Sequence, residues 1–342
     1  MRLSVLDQSP VSAGGAPADA VSETVQLARA AERLGYHRFW VAEHHGSAGL
    51  AGTVPEILVV RIASATTSMR VGSGGVMLSH YSPYKVAETF RMLETLFPGR
   101  IDLGIGRAAG ADPLTALALR NGAEPLRPER FPDQVADLIG FLSGKLDAAH
   151  PFAGLSTMPS GAGVPEIWLL GSSDQSAQLA AFMGLAFSFA QFINEGGEGV
   201  MEAYRQCFRS SPHCRTASGS VAVFVICADS ESEALRLEAS RNLWRLRSRQ
   251  EGELPPYPSV ADALSYAYAE ADRVQIERSR RRNVVGAPEQ IKARLNEIAN
   301  AYGVDELVIV TICHDFGARL RSYELLAQAF QITKQTDRGE GP

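Results

Sequence analysis

The residues that could do chemistry stand at the ends of short apolar runs. The clearest run is Phe39-Trp40-Val41-Ala42-Glu43-His44-His45, a strand pattern that finishes in a carboxylate and two imidazoles. Such a group can move protons near neutral pH, and imidazoles also ligate metals. Adjacent strand side chains point to opposite faces, so His44 and His45 do not read as a pair. They also lack the spacing that sets two ligands on one side of a metal. The reading is therefore that one of the two faces a cavity as a proton-handling imidazole while its neighbour supports it, with a metal site as the lesser alternative. The plainer alternative is a pair of satisfied structural histidines.

Three other run ends are unusual. Leu6-Asp7-Gln8-Ser9-Pro10 places an acid and an amide after the first run, unless Asp7 and Ser9 only form a turn before Pro10. Val71-Gly72-Ser73-Gly74-Gly75-Val76 carries three glycines. Glycine weakens a strand, so this one implies a bulge, the close approach of a flat ligand, or tight packing. A Gly-Gly step can also adopt a cis bond that other residues resist. The last end pairs Gly104-Ile105-Gly106-Arg107 with Gly171-Ser172-Ser173-Asp174-Gln175-Ser176. The serine turn follows one apolar run and opens a helix, so its amides and hydroxyls suit an anion, with Arg107 as a fixed cation. Alternatively, Ser173 or Asp174 is only a helix cap and Arg107 only an ion-pair partner.

The elements that must position these groups alternate. Strand patterns fall at Leu3 to Leu6, Phe39 to Ala42, Val71 to Val76, Ile101 to Leu103, Ile167 to Leu170, Ala186 to Phe189, Val221 to Cys227 and Leu307 to Val310. Helical periodicity occupies the intervals, beginning with Ala18 to Leu34, which stops at Gly35. Alternation implies a parallel sheet, and eight units imply a (β/α)8 TIM barrel whose site lies at the carboxyl ends of its strands. Long insertions at that face are expected at Gly104 to Arg130, Gly144 to Pro165 and Arg247 to Val285. The last holds a basic run at Arg278, Arg280, Arg281 and Arg282, read as a solvated face or an anion contact. One domain over residues 1–332 and a disordered tail over 333–342 complete the organisation.

Composition narrows the function. The chain has 342 residues, 45% of them hydrophobic, enough for a full core. With 33 basic against 38 acidic residues and a net charge of -5, it has no footprint for nucleic acid. No apolar stretch is long enough to span a membrane, so a cytoplasmic protein acting on a small organic molecule is expected. Cys207, Cys214, Cys227 and Cys313 lack metal-site spacing and read as free thiols, mostly buried.

Ala42-Glu43-His44-His45, the Val71 to Gly75 strand and Phe97-Pro98-Gly99-Arg100-Ile101-Asp102-Leu103-Gly104-Ile105-Gly106-Arg107 together resemble the bacterial-luciferase-like flavin-dependent monooxygenases. The opening Val5 to Pro10 and the Gly171-Ser172-Ser173 turn are similar to a branch that includes antibiotic-biosynthesis monooxygenases, such as that of mensacarcin. The resemblance implies FMN, reduced by a separate flavin reductase, which reacts with O2 to a C4a-peroxyflavin that oxygenates an organic substrate such as a polyketide. It places Glu43, Ser73, Gly74 and Gly75 around the flavin, with Gly74-Gly75 as a cis peptide. Arg107, Ser172, Ser173 and Ser176 fall at phosphate positions, and His44 matches the catalytic base. Gly106 stands where luciferases carry a cysteine, which leaves room for a bulkier substrate beside Gln8, Phe189, Gln191 and Phe192. Homodimerisation through the helices near Pro55 to Thr66 and Tyr84 to Phe97 is also implied. The same barrel serves F420-dependent hydride transfer and non-catalytic flavin binding, which remain the alternatives.

Overall fold

The first helix shows how these elements form. It spans Pro17–Leu34, starts on a proline that suits the first turn, and ends at Gly35, whose φ of 92° is left-handed. Its inward stripe, Ala20, Thr24, Leu27, Ala28 and Ala31, is buried, and Leu27, Ala28 and Ala31 join the core. Truncating a side chain such as Leu27 in that stripe costs about 2–5 kcal/mol. The computed structural model describes residues 1–107, 110–124, 127–161 and 163–333, Pro128 in its backbone alone. The tail expected to be disordered lies outside the described residues beyond position 333.

The strands are β1 (Arg2–Asp7), β2 (Arg38–Val41), β3 (Arg70–Met77), β4 (Ile101–Gly106), β5 (Glu166–Gly171), β6 (Ala186–Ala190), β7 (Gly219–Cys227), β8 (Asn283–Gly286) and β9 (Glu306–Val310). All pair in parallel, and β1 to β7 with β9 close an eight-stranded TIM barrel with helices between the strands. Closure removes every open edge from the ring. The strand β8 was not expected. It pairs with the second half of β7, Phe224 to Cys227, beyond the stretch from Gly219 to Ala222 that pairs with β6.

Two of the long connections also differ from expectation, because they carry helices. Pro113–Leu119 lies in the first, while Val260–Ser265 and Glu270–Arg280 lie in the third, whose preceding helix runs on to Glu251. Among the described residues no helix is long and apolar enough to cross a membrane. The four cysteines are free, but only Cys227 and Cys313 are buried; Cys207 is exposed and Cys214 half-buried.

Strand alternation divides the core in two. Val5, Val41, Ile105, Phe189, Val223 and Ile309 face the helices. Leu6, Trp40, Trp168, Ala222 and Val308 fill the barrel. Trp40 and Trp168 meet edge to face inside it, 5.2 Å between centroids. A buried charge network lies beside them: Arg38 donates to Asp102 at 2.8 Å and to Glu306 at 2.7 Å, and Trp40 Nε1 donates to Asp102 at 2.9 Å. Both charges of each pair are matched, which offsets their loss of water.

Candidate active site

Above this packed layer the carboxyl ends of the strands open into a cavity of about 720 Å³, within the usual range for a ligand site of roughly 300–1,000 Å³. Consecutive strands contribute Leu6, Trp40, Gly74, Gly106, Leu170, Ser188, Ala222 and Val308 to its wall, so every barrel strand supplies at least one residue. The wall thus collects the tips of separate strands, and each tip brings its own chemistry.

Glu43, His44 and His45 lie just past β2. Glu43 is buried and its carboxylate is fully engaged: Tyr81 Oη and His45 Nε2 donate to Oε1 at 2.5 Å and 2.7 Å, and the Met77 N–H donates to Oε2 at 2.9 Å. Burial and the bond to Glu43 hold the Tyr81 phenol far above its ordinary range, so it stays a donor. His44 differs. Its backbone N–H is fixed on Gly52 O at 2.9 Å, yet its buried Nδ1 has no partner among the described residues. Loss of water, reinforced by His45, lowers its pKa to about 4. At neutral pH His44 is therefore an uncharged imidazole on the cavity wall, able to accept a proton.

The glycine strand forms the next sector. Gly74-Gly75 is a cis peptide, as expected, and the β3–β4 register shifts there in a bulge. A Cβ on Gly74 would lie 2.6 Å from Leu6 Cδ1 and 2.9 Å from Trp40 Cβ, and one on Gly75 would lie 2.6 Å from Gly104 O. Backbone alone fits at these two positions, leaving wall with no side chain. Gly106 is different, since the nearest atom to its Cβ position is Leu170 O at 3.9 Å. Here glycine leaves open space.

Arg107, Ser172, Ser173, Gln175 and Ser176 make the polar end. The helix Asp174–Met183 begins there, capped by Ser173, and the Ser176 hydroxyl donates to Ser173 O at 2.7 Å. First-turn N–H groups have no carbonyl to bond within a helix and carry its positive end. Arg107 Nη1 donates to Gln175 Oε1 at 3.1 Å, which sets a guanidinium beside that end. Asn194 Nδ2 holds Ser172 O at 3.0 Å, while the Ser172 hydroxyl has no partner among the described residues. A cation, a helix terminus and free hydroxyl hydrogens favour an anion such as phosphate.

Eleven expected residues meet here: His44, Glu43, Gly74, Gly75, Arg107, Ser172, Ser173, Ser176, Gln8, Gly106 and Phe192 all line the cavity. Three do not. Ser73 is buried between inward Gly72 and Gly74, points the other way, and donates to Gly104 O at 2.8 Å. Phe189 lies between inward Ser188 and Ala190, so it faces the helices and meets Tyr302 at 5.7 Å. Gln191 is buried off the wall, where Ile193 stands beside the expected Phe192. Asp7 is not a mouth acid: its carboxylate takes Arg319 Nη2 at 2.7 Å and the Ser9 N–H at 2.5 Å, the turn alternative together with a buried ion pair. The sequence reading missed Tyr81, Phe131 and Ser188. For Ser188 the signal was present, a small polar residue of the same parity as the inward positions of its strand.

The sequence profile of the luciferase-like monooxygenases matches residues 1–306. The chain belongs to the luciferase-like monooxygenase family. Among relatives, it is 47% identical to protein YwcH of Bacillus subtilis over 96% of this chain and 98% of that one. It is 37% identical to the N-acetyl-S-alkylcysteine monooxygenase of the same organism over 98% and 100%. Among solved structures, apo-MsnO8 superposes with a TM-score of 0.86 at 38% identity, covering 97% of this chain and 99% of that one. More distant structures share the fold alone. They include the oxygenating constituent of 3,6-diketocamphane monooxygenase from Pseudomonas putida in complex with FMN, at 19% identity, TM-score 0.69 and 98% and 99% coverage. An F420-dependent secondary alcohol dehydrogenase stands at 14% identity, TM-score 0.67 and 96% and 98% coverage. Membership in this family makes the protein an oxygenase, on a fold that also serves F420 enzymes.

Proposed function

We propose that this luciferase-like monooxygenase uses reduced FMN and O2 to place one oxygen atom on an organic substrate. The observation that carries this reading is the neutral imidazole of His44, set in the same wall as a side-chain-free glycine stretch and a helix end suited to an anion. The residues fit FMN. Arg107, the Ser172 and Ser173 hydroxyls and the start of the Asp174–Met183 helix would hold its phosphate, and Gly74 and Gly75 would admit its flat ring. When bound, the reduced flavin supplies the electrons that activate O2.

The chain's own part is to bind, orient and move a proton. His44 takes or returns a proton at Nε2, the ring nitrogen that is not enclosed, and the Glu43–His45–Tyr81 cluster fixes the turn that carries it. The apolar side of the wall, Leu6, Trp40, Phe131, Phe192 and Val308, keeps water from that nitrogen and receives the substrate. N-acetyl-S-alkylcysteines are the first substrates to try, from the name of the Bacillus subtilis relative; aromatic polyketides come next, from the sequence resemblance to antibiotic-biosynthesis monooxygenases.

A flavin reductase is the proposed source of reduced FMN, and a second copy of this chain is the proposed partner. Ile57 and Val60 on the helix Pro55–Ala63, with Met92 and Leu96 on Pro83–Leu96, are exposed apolar residues that a copy would cover. The test of the function is turnover under labelled O2 with reduced FMN or reduced F420 as the sole electron source. Label entering product with FMN supports the reading. Oxygen-independent turnover with F420 alone contradicts it.

A further inference from the structure

The helix Glu231–Glu251 packs on β7 and β8 and carries a second group of cations, outside the residues that line the cavity but next to them. Arg241 on this helix is 4% exposed, and its guanidinium carbon lies 3.2 Å from the centroid of the Phe224 ring. Phe224 belongs to the inner barrel layer with Ala222 and Val308, both of which line the cavity. One turn further on, Arg245 is half-buried, and Arg282 reaches in from just before β8 to donate to Ile193 O at 2.6 Å. Ile193 is also a wall residue.

These three cations lack counter-charges. Arg241 makes one side-chain hydrogen bond, Nε to Asn283 Oδ1 at 3.3 Å, and Arg245 makes none among the described residues. The carboxylate that bears on Arg241 is Glu238, and it is already taken by Arg280 at 3.0 Å and Asn283 at 2.9 Å. The terminal nitrogens of Arg241 have no protein partner, yet they are not among the fully enclosed unpaired atoms. The little exposure the residue has therefore includes its guanidinium end. Burial without a matching charge lowers Arg241 to about 9, and burial together with Arg282 lowers Arg245 to about 10. Gathering like charges at reduced solvation is costly unless an anion completes them.

We propose that Arg241, Arg245 and Arg282 bind a carboxylate carried by the substrate, and so select organic acids over their neutral counterparts. The inference rests on the oxygenase reading of the cavity and adds the substrate's charge to it. Phosphate of the cofactor has its own site at Arg107, at the ends of β4 and β5, whereas this cluster stands by β7 and β8, which leaves it for the substrate. A guanidinium stacked on an aromatic face is held with its donors in one plane, the geometry that grips a carboxylate in two bonds.

The experiment is calorimetric titration of the FMN-loaded protein with N-acetyl-S-benzylcysteine and, separately, with its methyl ester. Tenfold or tighter binding of the acid over the ester is expected. That preference should vanish in Arg245→Gln and Arg282→Gln with the affinity for the ester unchanged. Arg241 is too enclosed to replace without risk to folding, so the two more open arginines carry the test. Equal binding of acid and ester, no binding of the acid at millimolar concentration, or a preference that survives both substitutions overturns the proposal. A prior FMN titration of the same samples separates this from failure of the flavin reading, since FMN affinity should not change in either variant.

Discussion

His45 Nε2 lies 2.7 Å from Glu43 Oε1, and this pairing isolates the residue between them in sequence. With the Glu43 carboxylate engaged by His45, Tyr81 and the Met77 amide, nothing in that cluster is left to bond His44. The cluster positions His44 without sharing its proton. A histidine paired to a carboxylate would be charged more readily, whereas His44 is held neutral by loss of water.

That neutrality has a signature in stability. His44 has a folded pKa of about 4 against an ordinary 6.5. Above pH 6.5 neither state holds the proton. As pH falls from 6.5 to about 4 the unfolded chain takes it up first, so the folded state loses stability through that window and no further below it. At pH 5 the loss is roughly 2 kcal/mol. Denaturant unfolding of His44→Gln should therefore show that much less loss between pH 7 and pH 5 than the parent. Another buried histidine, His37, shifts the same way and persists in both proteins, so the difference isolates His44. Parallel curves for the two proteins contradict a buried neutral His44.

Arg107 should contribute to cofactor affinity and not to the fold, because its side chain is exposed and, among the described residues, bonds only Gln175. A charge-assisted bond to phosphate contributes about 1.5–3 kcal/mol, or tenfold to a hundredfold in affinity. Arg107→Ala should weaken FMN by that factor in a fluorescence titration, while its affinity for riboflavin, which has no phosphate, stays at the parent level. Equal loss for both ligands would move the phosphate elsewhere.

Two glycines of the same wall should respond in opposite ways. Gly74→Ala forces a methyl group to 2.6 Å from Leu6 Cδ1, and overpacking of this kind costs about 1–3 kcal/mol. Gly106→Ala meets only Leu170 O at 3.9 Å and should melt at or slightly above the parent temperature. Thermal unfolding of the two variants checks the contrast, and similar destabilisation in both refutes it.

Much of this arrangement was legible in the sequence, and the residues show why some was not. The eight barrel strands follow from apolar runs between helical patterns, and the Gly35 stop follows from the need for a left-handed residue. β8 escaped notice because four residues after an arginine-rich helix carry little periodicity; its strand character comes from pairing with the far half of β7. The helices of the first and third connections are short, and their start signals at Asp112 and Ser259 are local caps that composition hides. In the site, the Glu43-His44-His45 end, Arg107 and the glycine pair stand out because each breaks a run of apolar residues, and the family resemblance then singles out His44 and Arg107. Ser73 and Phe189 were misplaced through parity: once Gly74 faces inward Ser73 cannot, and Ser188 and Ala190 force Phe189 outward. The arginine cluster draws on two segments about forty positions apart, so only folding brings it together.

The exposed apolar residues of the helices Pro55–Ala63 and Pro83–Leu96 give the oligomer a direct check. Ile57 is 67% exposed, so Ile57→Asp should fold normally and yet separate the proposed dimer into monomers by light scattering. A parent protein that is already monomeric rules out that partner.

The central claim joins a flavin to a proton-handling His44 in one cavity. Its most direct measurement is incorporation of labelled O2 into product by parent and His44→Gln proteins, each supplied with reduced FMN and an N-acetyl-S-alkylcysteine or aromatic acceptor and each titrated first with FMN. The expected result is equal FMN affinity in the two proteins and loss of at least about a hundredfold in labelled product for the variant. Undiminished labelled product from His44→Gln would contradict the account.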